Sequence, residues 1–309
     1  MIKRIFCSCM ILCWLSAVSQ NQISDILNYD EEVKKISIAN EKIAFTDEGS
    51  GEKTLVFIHG LSSNLKSWYK NVSALKADYR CIALDLPGYG KSTKNSTTYS
   101  LKDYAGFLNS FIEIMNLTNV VLLGHSMGGQ VAVITVLDAP ENFINLVLVA
   151  SAGIETFSEK EAMVMKASYT TAIVEESTPE QIRNNFEMNF YQFPEDAEFM
   201  VRERIAMRDT DDMNIYSEVV VNNIHAMLDE PIIDRLSSIE IPVLMIYGKN
   251  DLLIPNKYFH PSQDIRSLVK DAKERISTLK VRLIDEAGHF VNFEKPDEVN
   301  EEIKQFLKQ

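Results

Sequence analysis

The segment "VVLLGHSMGGQVAVITV", residues 120–136, constrains the fold of this chain more than any other part of it. It opens with the apolar run Val120 to Leu123, which predicts a short buried strand, and residues 130–137 have the composition of a buried helix. Ser126 therefore lies on the turn between a strand and a helix. The small glycines on either side of it permit a turn of that tightness.

The three residues Gly124, Ser126 and Gly128 form the pattern G-x-S-x-G, which is typical of a nucleophile elbow. The helix that follows would offer unpaired N–H groups and the positive end of its dipole to a developing anion. A serine hydroxyl is a poor nucleophile unless a base removes its proton and a third group holds that base. The rest of the chain must therefore supply a base and an acid.

Two loops after predicted strands carry those groups. His289 follows a strand-like run near the C-terminus, and Asp251 lies just beyond the buried strand predicted at residues 243–247. The order serine, acid, histidine is the order expected of one particular fold. Asp285 is a rival acid closer to His289, but we expect it within a strand and therefore prefer Asp251. The other histidines are predicted to be structural or to line a pocket: His59, His125, His225 and His260.

A tetrahedral intermediate also needs hydrogen-bond donors for its oxyanion, usually backbone N–H groups. The predicted strand at residues 54–58 runs into "HGL", which ends at Leu61, and Met127 follows the candidate nucleophile. We expect the amides of Leu61 and Met127 to point into the same site. By itself, a His-Gly pair at this position would indicate only an ordinary turn at the end of a strand.

Five segments, in this order along the chain, resemble the α/β-hydrolase fold family: "FIHGLSSN", "LDLPGYGKS", "GHSMGG", "YGKNDLLIP" and "EAGHF". The resemblance spans about residue 36 to the C-terminus. It implies that Ser126 is the nucleophile, His289 the general base and then acid, and Asp251 the group that orients it, with Leu61 and Met127 as oxyanion donors. It implies no cofactor and no metal ion.

Strand-like and helical segments alternate along the chain, which predicts an α/β fold with a mainly parallel sheet and helices on both faces. The clearest segments are strands at Arg80–Leu84, Val120–Leu123, Leu146–Ala150 and Val243–Tyr247 and a helix at Leu101–Leu117. Strand signals vanish at residues 153–238, where methionines and aromatic residues recur. The resemblance implies that this insertion is a helical cap between two parts of the hydrolase core, residues 20–152 and 239–309.

The N-terminus carries Lys3 and Arg4, then an apolar stretch that is short for a membrane span but suitable for a signal peptide. Small residues precede a cleavage site after Ser19. We therefore expect residues 1–19 to be a signal peptide and the protein to be exported, periplasmic or secreted, with no stable membrane span after cleavage. A lipid anchor on Cys7, Cys9 or Cys13 is the second interpretation, and an uncleaved anchor is the third.

The net charge and the cysteine content argue against several kinds of partner and site. Loss of residues 1–19 takes the formal net charge from −13 to −15, which disfavours binding to nucleic acid or to anionic membrane surfaces. Cys81 would be the one cysteine left, so no internal disulfide and no cysteine-based metal site are predicted. The sequence fixes no oligomeric state.

The serine at the elbow narrows the chemistry. The resemblance implies that haloalkane dehalogenases and epoxide hydrolases of this fold carry aspartate at the elbow, so the serine here disfavours both activities. Proline iminopeptidases usually carry G-G-S-W-G, and the different sequence "GHSMGG" makes a peptidase less favoured without excluding it. The hypothesis is therefore a secreted serine hydrolase that cleaves small-molecule carboxylic esters of small or medium apolar acyl groups. Two alternatives stay open: a C–C bond hydrolase or acyltransferase on the same three residues, and a ligand-binding protein that has kept the fold without catalysis.

Overall fold

The computed structural model describes residues 21–308. An eight-stranded sheet with the strand order β1-β2-β4-β3-β5-β6-β7-β8 forms its centre. The strands are β1 (Lys34–Ile38), β2 (Glu41–Glu48), β3 (Thr54–Ile58), β4 (Arg80–Leu84), β5 (Val120–His125), β6 (Phe143–Val149), β7 (Val243–Gly248) and β8 (Leu279–Ile284).

Strands β3 to β8 run parallel, whereas β2 is antiparallel to both β1 and β4. The central strands β3, β5 and β7 are buried along their whole length, as expected where both faces of a sheet are covered. Because the six strands are parallel, their carboxyl ends share one edge of the sheet, and the loops after β3, β5, β7 and β8 emerge there. The predicted fold class is confirmed.

Twelve α-helices connect or cover the strands in the described part of the chain. They are α1 (Ile23–Ile26), α2 (Tyr69–Leu75), α3 (Leu101–Ile114), α4 (Met127–Asp138), α5 (Glu159–Ser168), α6 (Thr171–Glu176), α7 (Pro179–Glu187), α8 (Glu198–Ala206), α9 (Met213–Asp229), α10 (Ile265–Arg275), α11 (Val291–Glu294) and α12 (Pro296–Leu307). Helix α4 follows β5 directly and packs on α3 and on strands β5 and β6. This arrangement places the first turn of α4 at the carboxyl edge of the sheet.

Several element boundaries differ from those predicted. Strand β5 ends at His125 rather than Leu123 and β7 at Gly248 rather than Tyr247, and the bounds of α3 and β6 differ as well. Helix α3 ends at Ile114 rather than Leu117, because Asn116 adopts a left-handed backbone with φ of +48°. Strand β6 begins at Phe143, earlier than predicted, and stops before Ala150, whose φ is +44°. In both cases a single residue with positive φ ends the regular element.

Residues 153–238, all of which the structure describes, contain helices α5 to α9 and no strand. Helix α9 is fixed to the core by the buried Asn223, whose Oδ1 accepts hydrogen bonds from the hydroxyls of Tyr89 (2.6 Å) and Tyr104 (2.9 Å). Gln130 of α4 donates from Nε2 to the carbonyl of Met227 at 3.0 Å. The inserted segment is therefore held against the core by buried polar contacts.

Across residues 21–308, no helix has both the length and the apolar character needed to cross a membrane. Cys81 is a free, buried thiol on β4, and burial raises its pKa to about 12. The same range holds no cluster of three or more histidine, cysteine or acidic side chains arranged to hold a metal ion. The predicted signal peptide and its cysteines lie outside the described residues.

Candidate active site

Ser126 occupies the turn between β5 and α4, with φ of +54° and ψ of −119°. A non-glycine residue pays roughly 1–3 kcal/mol for such a conformation, so the surroundings must hold it in place. Four backbone hydrogen bonds do so. The Ser126 amide donates to the carbonyl of Val149 at 3.0 Å. Its carbonyl accepts from the amides of Gly129 (2.9 Å), Gln130 (3.3 Å) and Ala152 (3.1 Å). The strained serine is thereby fixed at the carboxyl edge of the sheet.

The glycines around Ser126 are required by close backbone approach. A Cβ on Gly124 would lie 2.2 Å from the carbonyl oxygen of Gly128, and one on Gly128 would lie 2.5 Å from that of His59. A Cβ on Gly60 would lie 3.2 Å from the Cβ of Ser126. The end of β3 therefore passes directly beside the nucleophile elbow.

That approach brings the two candidate oxyanion donors to the elbow from different elements. Leu61 follows Gly60, and Met127 is the first residue of α4, whose amide has no acceptor within the helix. The side chain of His59 holds this turn from within: its Nδ1 donates to the carbonyl of Gly60 at 2.7 Å and its Nε2 accepts from the amide of Leu86 at 3.1 Å. Burial lowers the pKa of His59 to about 4, so its imidazole is neutral.

His289 and Asp251 form a buried pair on the loops after β8 and β7. His289 Nδ1 donates to Asp251 Oδ2 at 2.8 Å, and the two residues are 4% and 6% exposed. The other oxygen, Oδ1, accepts from the amides of Leu253 (2.8 Å) and Ile254 (3.0 Å). With Nδ1 as the donor in this bond, Nε2 is the ring nitrogen left to accept a proton.

His125, which directly precedes Ser126, connects the elbow to the loop of His289. The two imidazole rings lie 4.9 Å apart between centroids, and His125 Nε2 donates to the backbone carbonyl of His289 at 3.0 Å. Burial, and then the nearby charge of His289, place the pKa of His125 well below its usual value. A neutral imidazole thus fixes the backbone that carries His289.

The rival acid Asp285 makes a different contact. Strand β8 ends at Ile284, so the expectation that Asp285 lies within the strand is wrong: it is the first residue of the following turn. Its side chain is 79% exposed and pairs with Lys249 at 2.6 Å. The carboxylate bonded to His289 is that of Asp251, because the turn after β8 directs Asp285 outward.

Residues that the sequence analysis did not select fix the histidine loop against the inserted helices. Glu294 of α11 accepts from the amide of Gly288 (2.8 Å) and from those of Tyr191 (3.1 Å) and Gln192 (2.7 Å). The amide of Phe290 donates to the carbonyl of Asn189 at 3.0 Å. A small hydrophobic cluster, mainly of aromatic side chains, joins the loop of His289 to the inserted helices. It contains Phe190, Ala197, Met200, Phe290 and Phe293. The inserted segment therefore packs directly on the residue after His289.

A small cavity of about 30 Å³ lies on the side of the site where β3 ends. It is lined by Leu27, Ser62, Ser63, Asn64, Ser67, Phe186, Phe199, Met200, Glu203, Arg204 and Met207. Ser126 does not line this cavity, which begins one residue beyond Leu61. One charged group in its wall is incompletely satisfied: Nη1 of Arg204 is buried without a hydrogen-bond partner among residues 21–308, while Nη2 donates to the carbonyl of Val174.

An elbow serine and a buried His–Asp pair at the carboxyl edge of a mainly parallel sheet define the class of serine hydrolases built on an α/β sheet. The sequence profile of the α/β hydrolase fold matches residues 53–296. The chain therefore belongs to the α/β-hydrolase family, and the expectation of an enzyme of this family is confirmed.

Two curated relatives illustrate the range of that family. The dihydrolipoyllysine-residue acetyltransferase component of the acetoin cleaving system of Cupriavidus necator is 27% identical over 277 residues, which is 86% of this chain but 66% of that longer protein. The 2-hydroxy-6-oxononadienedioate/2-hydroxy-6-oxononatrienedioate hydrolase of Escherichia coli is 27% identical over 293 residues, 92% of this chain and 95% of that protein. The second relative matches along nearly its whole length.

Solved structures share the fold. A probable hydrolytic enzyme from Pseudomonas aeruginosa superposes with a TM-score of 0.81 at 20% identity, covering 91% of this chain and 96% of that one. An esterase from Exiguobacterium antarcticum superposes with a TM-score of 0.75 at 24% identity, covering 90% and 100%. At these identities the likeness concerns the fold.

Proposed function

We propose that this protein hydrolyses carboxylic esters of small or medium apolar acyl groups through a covalent acyl-Ser126 intermediate. The observation that carries the proposal is the buried pair of His289 and Asp251 at the same sheet edge as the strained elbow serine. The pair gives the imidazole the tautomer that a general base needs, and the elbow gives the hydroxyl a fixed position. A ligand-binding protein without catalysis would need neither.

The proposed reaction has two halves. Ser126 Oγ attacks the ester carbonyl as His289 Nε2 takes its proton, and the amides of Leu61 and Met127 hold the oxyanion. The imidazolium, stabilised by Asp251, then protonates the leaving alcohol. In the second half, His289 removes a proton from water, the hydroxide attacks the acyl carbon, and the acid leaves as Ser126 regains its proton.

An organophosphonate p-nitrophenyl ester tests the proposal directly, because it phosphonylates an activated serine and releases nitrophenol. We expect one label per chain on Ser126, and loss of both labelling and p-nitrophenyl butyrate hydrolysis in Ser126→Ala. Ser110→Ala is the matched control, since this serine lies within α3 and lines neither the elbow nor the cavity. Near-native hydrolysis by Ser126→Ala, or a label on Ser62, would contradict the proposal.

A second candidate is the hydrolysis of a C–C bond in a substrate that carries a carboxylate. It is favoured by Arg204, whose buried Nη1 lacks an acceptor in the cavity wall; such a nitrogen costs about 1–3 kcal/mol until it is paired. A relative named for a dioate substrate lends this candidate further support. A ring-fission diketone that ends in a carboxylate should then be cleaved faster than simple esters, and Arg204→Met should remove that preference while leaving the labelling of Ser126 intact.

We further propose that the protein is exported and that the mature chain begins near Gln20. The proposal rests on the charged start and the short apolar stretch of residues 1–19. N-terminal sequencing of protein recovered from its native host should read from Gln20. An intact Met1, or a lipid on Cys7, Cys9 or Cys13, would contradict it.

A further inference from the structure

The first described segment, Asn21–Tyr29, packs into the molecule; we call it the N-terminal strap. Three of its side chains are buried: Ile23 at 0% exposure, Leu27 at 4% and Tyr29 at 8%. Its helix α1 has only four residues, too few to be stable without tertiary contacts. The position of the strap is therefore set by what it touches.

At one end the strap is bonded to the inserted helical segment. The carbonyl of Asn21 accepts from the amide of Asp211 at 3.0 Å, and the amide of Ile23 donates to Asp212 Oδ1 at 2.9 Å. Asp212 directly precedes α9. This end of the strap is thus fixed to the inserted helical segment.

At the other end the strap is bonded to the loop that follows the candidate oxyanion donor Leu61. The Tyr29 hydroxyl donates to Asp85 Oδ2 at 2.9 Å, and Asp85 Oδ1 accepts from the amide of Leu65 at 2.7 Å. Lys66 Nζ donates to the carbonyl of Asn28 at 2.6 Å. The strap therefore spans from the inserted helices to the loop beside the elbow.

Leu27 lies between these two anchored ends and lines the small cavity together with Ser62, Met200 and Met207. The cavity volume of about 30 Å³ is far below the roughly 300–1,000 Å³ of sites that bind small molecules. The flexible methionines can change rotamer to make room, whereas Leu27 is on a backbone held at both ends. Of the three side chains Leu27, Met200 and Met207, Leu27 is therefore the one expected to keep its position and to limit the length of the cavity.

We propose that the strap forms the end wall of the acyl site and that Leu27 is a specificity-determining residue, which limits the length of the acyl group. The inference rests on the proposed ester hydrolysis. An acyl carbonyl whose oxygen is held by the amide of Leu61 lies one residue from Ser62, where the cavity begins. The acyl chain then extends along the loop toward Leu27, and its last carbons meet that side chain.

The test measures how kcat/KM of the full protein depends on the length of the substrate's acyl chain. Wild type, Leu27→Ala and Leu27→Phe are compared in kcat/KM on p-nitrophenyl acetate to dodecanoate, and in the rate at which alkylphosphonates of the same lengths label Ser126. Leu27→Ala should raise the ratio of long to short chains by about tenfold, since each additional methylene that can be buried is worth about fourfold. Leu27→Phe should shift the profile toward shorter chains.

Ile23→Ala is the matched control. It removes a buried side chain from the same strap without changing the cavity wall, so it should leave the profile unchanged. An unchanged profile in both folded Leu27 variants, or the same shift in Ile23→Ala, would overturn the inference while ester hydrolysis stands. If alkylphosphonates of every length fail to label Ser126 in the wild type, the proposed function fails and this inference fails with it. Should Leu27→Ala not fold, Leu27→Phe decides by the same criteria.

Discussion

Replacement of Asp251 by asparagine should lower kcat/KM for p-nitrophenyl butyrate by about 10⁴-fold, or about 5 kcal/mol of transition-state stabilisation. The side chain accepts three hydrogen bonds: from His289 Nδ1 at 2.8 Å on Oδ2, and from the amides of Leu253 and Ile254 at 2.8 and 3.0 Å on Oδ1. An asparagine has only one oxygen to serve these two groups of donors. Its orientation therefore decides the outcome.

The two backbone donors should win that oxygen. If the amide nitrogen faced Leu253 and Ile254, two buried N–H groups would lose their acceptor, at about 1–3 kcal/mol each. With the oxygen kept there, the NH₂ group faces His289 and can donate only to an unprotonated Nδ1. The imidazole proton then moves to Nε2, and this nitrogen can no longer accept the proton of Ser126.

Asp285→Asn is the matched control, because it makes the same change in charge close to His289 in sequence, on a side chain that is 79% exposed. It should alter kcat/KM by less than about threefold, since exposed ion pairs contribute little. Thermal unfolding of both variants separates loss of fold from loss of chemistry. A loss below tenfold in folded Asp251→Asn, or a larger loss in Asp285→Asn, would refute the assignment of the acid.

Three further outcomes follow from close packing, from a buried carboxyl group and from a network of hydrogen bonds. Gly128→Ala should reduce turnover at least 100-fold and lower Tm, because its Cβ would lie 2.5 Å from the carbonyl oxygen of His59. Gly106→Ala in α3 is the control, because no atom lies within 4 Å of the Cβ it would add. It should instead raise the free energy of unfolding by about 1 kcal/mol in urea titrations. Burial raises the pKa of Asp85 from its usual 3.8 to about 6, so the folded state holds this proton more tightly than the unfolded chain. The free energy of unfolding should therefore fall by about 2 kcal/mol as pH rises from 4 to 6, and in urea titrations across that range Asp85→Asn should show a weaker dependence of this free energy on pH. Glu294→Gln leaves three backbone amides with one acceptor oxygen, so the loop that carries His289 should be held less firmly. We expect kcat to fall by about tenfold with little change in KM. Equal changes in kcat and KM would contradict a role of Glu294 in positioning that loop.

The sequence predicts those parts of the fold that depend on local pattern. Strand β4 has the predicted bounds, Arg80–Leu84, because its buried apolar run is a local property. The observed ends of α3 and β6 differ from the predicted ends because each depends on a single residue with positive φ, Asn116 or Ala150, and neither is a glycine that would indicate it. The sequence predicts Asp285 within a strand because the apolar run before it gives no signal of where pairing stops.

The contacts that hold the candidate site join residues far apart in the chain, and pattern analysis does not reveal them. Tyr29 and Asp85 are 56 positions apart, and Glu294 reaches back across 103 positions to the amide of Tyr191. A backbone amide or a lone carboxylate carries no motif, so the partner becomes evident only after the chain has folded. The elbow, in contrast, is compact enough to be read from five consecutive residues.

Each loop that carries a candidate catalytic group is held by an element outside the sheet. Glu294 bonds the loop of His289 to the inserted helical segment. Glu155, at the start of that segment, accepts a hydrogen bond from the amide of Asn256 at 2.9 Å and so holds the loop that carries Asp251. Asp85 and the strap hold the loop after Leu61. Catalytic groups need to stay within about 0.5 Å of their working positions. We therefore propose that the insertion and the strap position the catalytic loops, in addition to the role proposed above for the strap in the acyl site. A substitution in the inserted segment or in the strap should therefore alter turnover by shifting these loops as well as by changing the fit of the substrate.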